Sequence, residues 1–329
     1  MKKLVLLSVI VGSLAALAIT IFYILTIYQN DLGMTGPETP AVQLHAKRIV
    51  LISQEQGSYV MNEIQKGARD AAASQGLSID FWGVYRSNYE ELLKQLDIAI
   101  ASKIDGIIIE GVDRPEFANM VNKATFKGIP VITINSDAPG SLRKTYVGSD
   151  HYEEGVAMGK HIASSLHGQG TIGIITNTGS SDTDQLRQKG LREVLGGYAG
   201  IKLVYASNAA AKTQATVQTF DILNHNPSVK AFIGLQTDSA KEILQAGHSR
   251  SRAADYQVFM FDNAPQTVQL LDSKQIRAGL SQHYEDMGKM SVDLMKQWLD
   301  SKDLPLAPRY FTPVSVVVPG PGFKAEASE

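Results

Sequence analysis

The 329-residue chain contains no cysteine. That absence excludes disulfide bonds, thiolate catalysis, thiolate-bound zinc and anchoring through a lipid-modified cysteine. An excess of positive charge is also missing, since the formal net charge is −2. Nucleic-acid binding needs a clustered positive face, so no nucleic-acid partner is expected. The seven histidines form no His-Glu-x-x-His pair and no closely spaced set, so no metal site is expected. Catalytic and cofactor motifs fail on context. Gly168–Gly173 spells Gly-x-Gly-x-x-Gly, but it follows a helical pattern and enters a strand, the reverse of a dinucleotide fingerprint. Gly247–Ser251 approximates a nucleophile elbow without the final glycine or a preceding strand. No phosphate-binding loop occurs. Neither an enzyme nor a cofactor is expected.

What is present begins at the N-terminus. Lys2 and Lys3 precede an uncharged, mostly apolar run, Leu4–Tyr28, and roughly 20 apolar residues suffice to span a bilayer. A cleavable signal has a shorter apolar core and a small-x-small site, which Ala16-Leu17-Ala18 could imitate. The run continues apolar past that point, with Tyr23 and Tyr28 as interfacial residues. Residues 1–28 therefore read as a transmembrane anchor, with a cleaved signal as the alternative. Lys2 and Lys3 stay cytoplasmic in this reading, which places the remainder outside the cell membrane. Residues 29–46 read as a linker containing Gly, Pro and polar residues.

From Lys47 onward, strand and helix patterns alternate. The stretch Ile104–Asp137 shows the scheme: Ile104–Ile109 and Pro130–Ile134 are β-branched runs, and Phe117, Met120, Val121 and Ala124 recur between them at helical spacing. Polar residues, among them Asp113, Arg114 and Asn135, follow the strand ends, where open parallel sheets place ligands. Strands are expected at 48–53, 77–83, 170–176, 201–207, 229–235, 256–262, 276–282 and 308–317. Helices are expected at 58–75, 89–102, 151–167, 182–196, 213–224, 238–247, 264–273 and 284–300. The fold class is α/β, two doubly wound parallel-sheet lobes. The first lobe is expected over 47–134 and 283–305, the second over 135–282 and 306–318, with a loose tail at 319–329.

Seven stretches in order carry a resemblance: IDGIII (104–109) with Asp113 beyond, GIPVITIN (128–135), VGSDHYEEG (147–155), Arg187–Leu191, LQTDSA (235–240), VFMFDNAP (258–265) and LSQHYEDMG (280–288). Together they resemble the type I periplasmic sugar-binding proteins of the ribose- and galactose-binding group. The resemblance implies two lobes joined by a three-strand hinge that close on a small carbohydrate or polyol. It implies an ABC permease as partner or, alternatively, a membrane sensor histidine kinase. It implies ligand contacts from Asp113, Asn135, Arg187, Asp262 and Gln282, with Gln54 and Tyr59 in the first loop, Arg114 beside Asp113, and Thr237 where the family carries asparagine. Paired donors and acceptors on a sugar match carboxylates, amides and a planar guanidinium. Asn135 stands where the family more often has aspartate, so the pocket differs from that of a standard ribose or galactose binder. On these grounds Arg187→Ala and Asp262→Ala are expected to abolish binding and leave the fold intact.

Overall fold

Arg48–Ser53 form β1, and its side chains divide by parity: Ile49 and Leu51 enter one buried cluster, Val50 and Ile52 another. A strand buried on both faces must be apolar at every position, which is why the run shows no alternation. The computed structural model describes residues 17–22, 46–85, 88–176, 182–207, 214–235, 239–249 and 256–320. The chain divides into two compact units, Met1–Ala46 and Lys47–Glu329. In the first unit residues 17–22 are helical (α1) and exposed, and Ala46, also described, is exposed and outside any element. Among the described residues no helix is long and apolar enough to cross a membrane. Most of the expected span Leu4–Tyr28 lies outside them.

The second unit contains two lobes. In the first, β1 pairs in parallel with β2 (Ser78–Gly83) and β3 (Gly106–Glu110), followed outward by β4 (Val131–Ile134), β5 (Thr145–Gly148) and β11 (Arg309–Phe311). The sheet order is β11-β5-β4-β3-β1-β2. Helices α2 (Tyr59–Ser74) and α10 (Tyr284–Leu299) share one core with Ile49, Leu51 and Ile108. The core of the other face joins α3 (Tyr89–Ala101) and α4 (Pro115–Phe126) through Leu92, Leu96, Phe117 and Val121.

The second lobe repeats the scheme. Strands β6 (Gln169–Ile175), β7 (Gly200–Tyr205), β8 (Val229–Gly234) and β9 (Gln257–Met260) form a parallel sheet in the order β7-β6-β8-β9. Strand β10 (Gly279–Ser281) pairs antiparallel with β12 (Ser315–Val317). Among the described residues this lobe has five helices: α5 (His151–Ser165), α6 (Asp182–Gly196), α7 (Ala215–His225), α8 (Ser239–His248) and α9 (Pro265–Asp272). α5 and α6 approach so closely that a Cβ on Gly155 would collide with the Arg187 carbonyl, and one on Gly190 with the Tyr152 carbonyl. Glycine at both positions is what lets the two backbones meet.

The chain passes between lobes three times, at 149–150, 282–283 and 312–314. Thr312, buried in the third passage, ties them together. Its N–H donates to the Gly148 carbonyl at 2.9 Å and its Oγ1 to the Gln282 carbonyl at 3.2 Å. The expected single strand 308–317 is therefore two strands in two sheets. Thr145–Gly148 and Arg309–Phe311 both run in the first sheet, so the expected division after residue 134 falls between two hydrogen-bonded neighbours, β4 and β5. The segment 135–144 that separates them is an excursion from one sheet and back to it.

Candidate ligand-binding site

In both sheets the strand order reverses direction at the first strand of the lobe: β2-β1-β3 in one and β7-β6-β8 in the other. A crevice opens outside the carboxyl ends of strands at such a switch point. A cavity of about 810 Å³ lies there, within the range usual for small-molecule sites. The first lobe lines it with Gln54, Glu55, Ser58, Tyr59, Val60, Glu110, Asn135 and Ser136. The second lobe contributes His151, Thr183, Asp184, Arg187, Leu235, Asp262, Ala264, Pro265 and Gln266, and the second passage between lobes adds Gln282, with Tyr284 just beyond it.

The first-lobe wall is built around Glu110, the last residue of β3. Its Oε2 accepts the Gln54 N–H at 2.8 Å and its Oε1 accepts Asn135 Nδ2 at 2.7 Å. Burial pushes the Glu110 carboxyl above its ordinary range, and the two donors only partly offset this. Gln54 Nε2 also reaches the Gly111 carbonyl at 2.8 Å. Asn135 sits at φ 63°, a left-handed conformation that asparagine tolerates better than most residues. The Tyr146 hydroxyl holds its carbonyl at 2.9 Å. Ser58 caps α2 by accepting the Met61 N–H at 3.3 Å, which sets Tyr59 at the helix start with its ring edge-on to Tyr284.

Glu154 organises the opposite side. It is fully buried, one turn into α5, and three cavity-lining side chains converge on it. Arg187 Nε donates to Oε2 at 2.7 Å, Gln282 Nε2 to Oε1 at 2.5 Å, and His151 Nδ1 lies 3.1 Å from Oε2. Burial alone would raise its pKa, but the Arg187 charge, helped by His151, outweighs that and holds the carboxyl at about 2. Reciprocally, burial disfavours the guanidinium while Glu154 keeps its pKa above the ordinary arginine value. Arg187 also donates Nη1 to the Leu235 carbonyl at 2.9 Å and lies 4.9 Å over the Phe261 ring. Asp262 accepts the Ala264 N–H at 3.0 Å and the Thr267 hydroxyl at 2.5 Å through Oδ1, a local turn-ordering role that coexists with its place on the cavity wall.

Of the residues singled out from the sequence, Gln54, Tyr59, Asn135, Arg187, Asp262 and Gln282 line the cavity. Asp113 and Arg114 do not: both are exposed at the start of α4, and Arg114 packs 4.6 Å over the Tyr89 ring. Thr237 lies outside the described residues. Glu110, His151, Asp184 and Tyr284 are lining residues that sequence reasoning did not select, and Glu154 is the buried group it missed. Its signal was available: Glu154, Met158 and Ile162 stand at i, i+4 and i+8, which puts an acid on the buried stripe of α5.

Two doubly wound lobes around a polar cavity agree with the comparisons to known proteins. Residues 49–303 match the periplasmic binding protein domain. The chain belongs to that family. This periplasmic binding protein is 23% identical to the D-allose-binding periplasmic protein of Escherichia coli K12 over 243 residues, 71% of this chain and 78% of that one. Its fold superposes with a TM-score of 0.76 on GanP, a glucose-galactose binding protein from Geobacillus stearothermophilus, at 31% identity over 83% of this chain and 97% of that one. A chain of the XylFII-LytSN complex gives a TM-score of 0.72 at 25% identity, over 83% of this chain and 98% of that one. The relative from Escherichia coli and GanP are both sugar-binding proteins.

Proposed function

We propose that the protein binds a sugar or polyol between its lobes, outside the cytoplasmic membrane, and performs no chemistry on it. The observation that carries this reading is Arg187. Its guanidinium is held by Glu154 and the Leu235 carbonyl at the edge of a cavity whose other walls include amides, carboxylates and two tyrosines. A planar cation with fixed orientation grips adjacent ligand oxygens in a way lysine cannot. Gln54, Tyr59, Asn135, Asp262 and Gln282 complete the binding set. Because both lobes face the ligand, it binds the closed arrangement better and shifts the population toward it, with the three passages at 149–150, 282–283 and 312–314 as hinge.

The closed form is read by one of two partners. An ABC permease would take up the ligand. A membrane sensor kinase would report it, and the likeness to a chain of the XylFII-LytSN complex favours this second reading, as does an N-terminal anchor that keeps the receptor beside its sensor. The test is a thermal-shift screen of the protein with monosaccharides and polyols, since a ligand that binds only the folded state raises its stability. A rise in melting temperature with one of them, followed by a saturable calorimetric isotherm, is expected; a flat response across the panel rejects the reading. Purification of the full chain from membranes, followed by identification of co-purifying kinase or permease, separates the two partners.

A further inference from the structure

Glu154 does not itself line the cavity, yet Arg187, His151 and Gln282, which do, each turn one polar atom toward it. A carboxylate accepts and cannot donate, so it dictates which atom each neighbour presents to the cavity. Arg187 commits Nε to Glu154 and Nη1 to the Leu235 carbonyl, which leaves Nη2 as a donor. Gln282 commits its amide nitrogen, which leaves Oε1 as an acceptor. His151 faces the carboxylate with Nδ1, so that nitrogen donates to Glu154 and Nε2 is the ring nitrogen left for the cavity. His151 Nε2 is buried and has no hydrogen-bond partner among the described residues, while its side chain is only 10% exposed. A buried polar atom without a partner is costly unless a ligand satisfies it.

We propose that Glu154 is a positioning residue that sets the donor–acceptor code of the cavity, and that His151 Nε2 is a ligand-contact atom that meets a hydroxyl group. The code is a guanidinium donor, an amide acceptor and an imidazole nitrogen. It selects a ligand with neighbouring hydroxyl groups, one donating to Gln282, one meeting His151 and one offering an oxygen to Arg187. The inference rests on the sugar-or-polyol reading above and specifies which polar face of the ligand is read.

Titration calorimetry on the full chain tests it, first with D-allose, D-glucose, D-galactose, D-ribose and xylitol. The tightest binder and its monodeoxy analogues are then measured on wild type, Glu154→Gln, His151→Ala and the double variant. Glu154→Gln introduces a donor where only acceptors stood, and affinity should fall by about tenfold or more. His151→Ala should weaken the parent ligand but leave one monodeoxy analogue, the one lacking the hydroxyl read by Nε2, bound as tightly as by wild type. The double variant should be no weaker than Glu154→Gln alone. Unchanged affinity and unchanged deoxy ranking in Glu154→Gln, or fully additive losses in the double variant, overturn the proposal. If circular dichroism shows that Glu154→Gln does not fold, His151→Ala decides: equal losses for the parent and every deoxy analogue overturn it. Failure of all five probes on wild type overturns the underlying sugar-or-polyol reading, and the inference with it.

Discussion

Thr312 Oγ1 donates to the carbonyl oxygen of Gln282 at 3.2 Å, which joins the third passage between the lobes to the second. The N–H of the same residue donates to Gly148, at the end of the first-lobe strand that leads into the first passage. Gln282 in turn donates to Glu154, and Glu154 accepts from Arg187. A continuous set of hydrogen bonds therefore runs from the three connecting segments to the cavity floor.

Removing one link tests that continuity. Thr312→Val keeps the shape and deletes the hydroxyl, leaving the Gln282 carbonyl without this donor in a buried setting. The cost should be about 1–3 kcal/mol, read as a lower urea midpoint at unchanged m-value. An unchanged midpoint would show that the Gln282 carbonyl does not depend on Thr312.

Arg187→Ala does more than remove a ligand contact. The sequence gives no sign that this residue is paired, so it suggests a variant with an intact fold. The structure instead leaves Glu154, at 0% exposure, without its guanidinium counter-charge and with Gln282 and His151 as its remaining partners. Breaking a buried pair from one side typically costs about 3–5 kcal/mol, whereas replacing both partners with apolar residues is often neutral. Chemical denaturation should therefore show a large loss for Arg187→Ala and a smaller one for Arg187→Met combined with Glu154→Leu. Equal losses would contradict the buried-pair account.

The two buried glutamates should respond to pH with opposite sign. The Glu154 carboxyl is held at about 2, from an ordinary 4.5, chiefly because the Arg187 charge overcomes the penalty of burial. Its contribution, about 3 kcal/mol, is fully present above the ordinary carboxylate range and is lost as pH falls toward 2. Glu110 is displaced upward by burial, so the folded state holds its proton longer than the unfolded chain does. Stability therefore falls as pH rises through the interval between its ordinary and its raised value. Glu110→Gln should gain stability at neutral pH and Glu154→Gln should lose it. Denaturant titrations of both variants at pH 4 and pH 7 check the signs.

Gly155→Ala places a methyl group against the Arg187 backbone carbonyl. Overpacking of this kind costs about 1–3 kcal/mol and should also shift Arg187 relative to the cavity. Reduced stability with weakened ligand binding is expected. Wild-type values for both would mean that α5 and α6 can separate without consequence.

Much of this architecture is legible in the sequence for a simple reason. Strands such as Ile107–Ile109 and Val131–Ile134 are buried on both faces, so they stand out as β-branched runs. Helices such as α2 and α10 each bury one face and show the matching spacing. The split of residues 308–317 has a signal in Pro313, which cannot donate to a strand ladder, but the β-branched and aromatic residues on either side of it outweigh that signal in the pattern. At the site, Asn135 was reachable because it ends the run Pro130–Ile134, and Arg187 because it opens one of the stretches that carry the family resemblance. Glu154 was not selected because acids in the first turn of a helix usually read as favourable to its dipole. Its neighbour Glu153 is exposed, as that reading expects, while Glu154 points inward. Asp113 and Arg114 illustrate the opposite error: polar residues after a strand attract notice, but here the chain has already turned away onto the surface.

The position of α10 has a consequence for biosynthesis. Met287, Val292 and Met295 of this helix fill the core beside Ile64 and Ala68 of α2, and β11 adds the outermost strand of the same sheet. Both elements belong to the last part of the chain to emerge. At roughly 5–20 residues per second, the apolar face of α2 stays uncovered on the order of 10–40 s before α10 is made. The lobe begun first thus waits for residues beyond the whole parallel sheet of the second before it is complete. During synthesis the nascent protein therefore carries an unfinished apolar surface on α2.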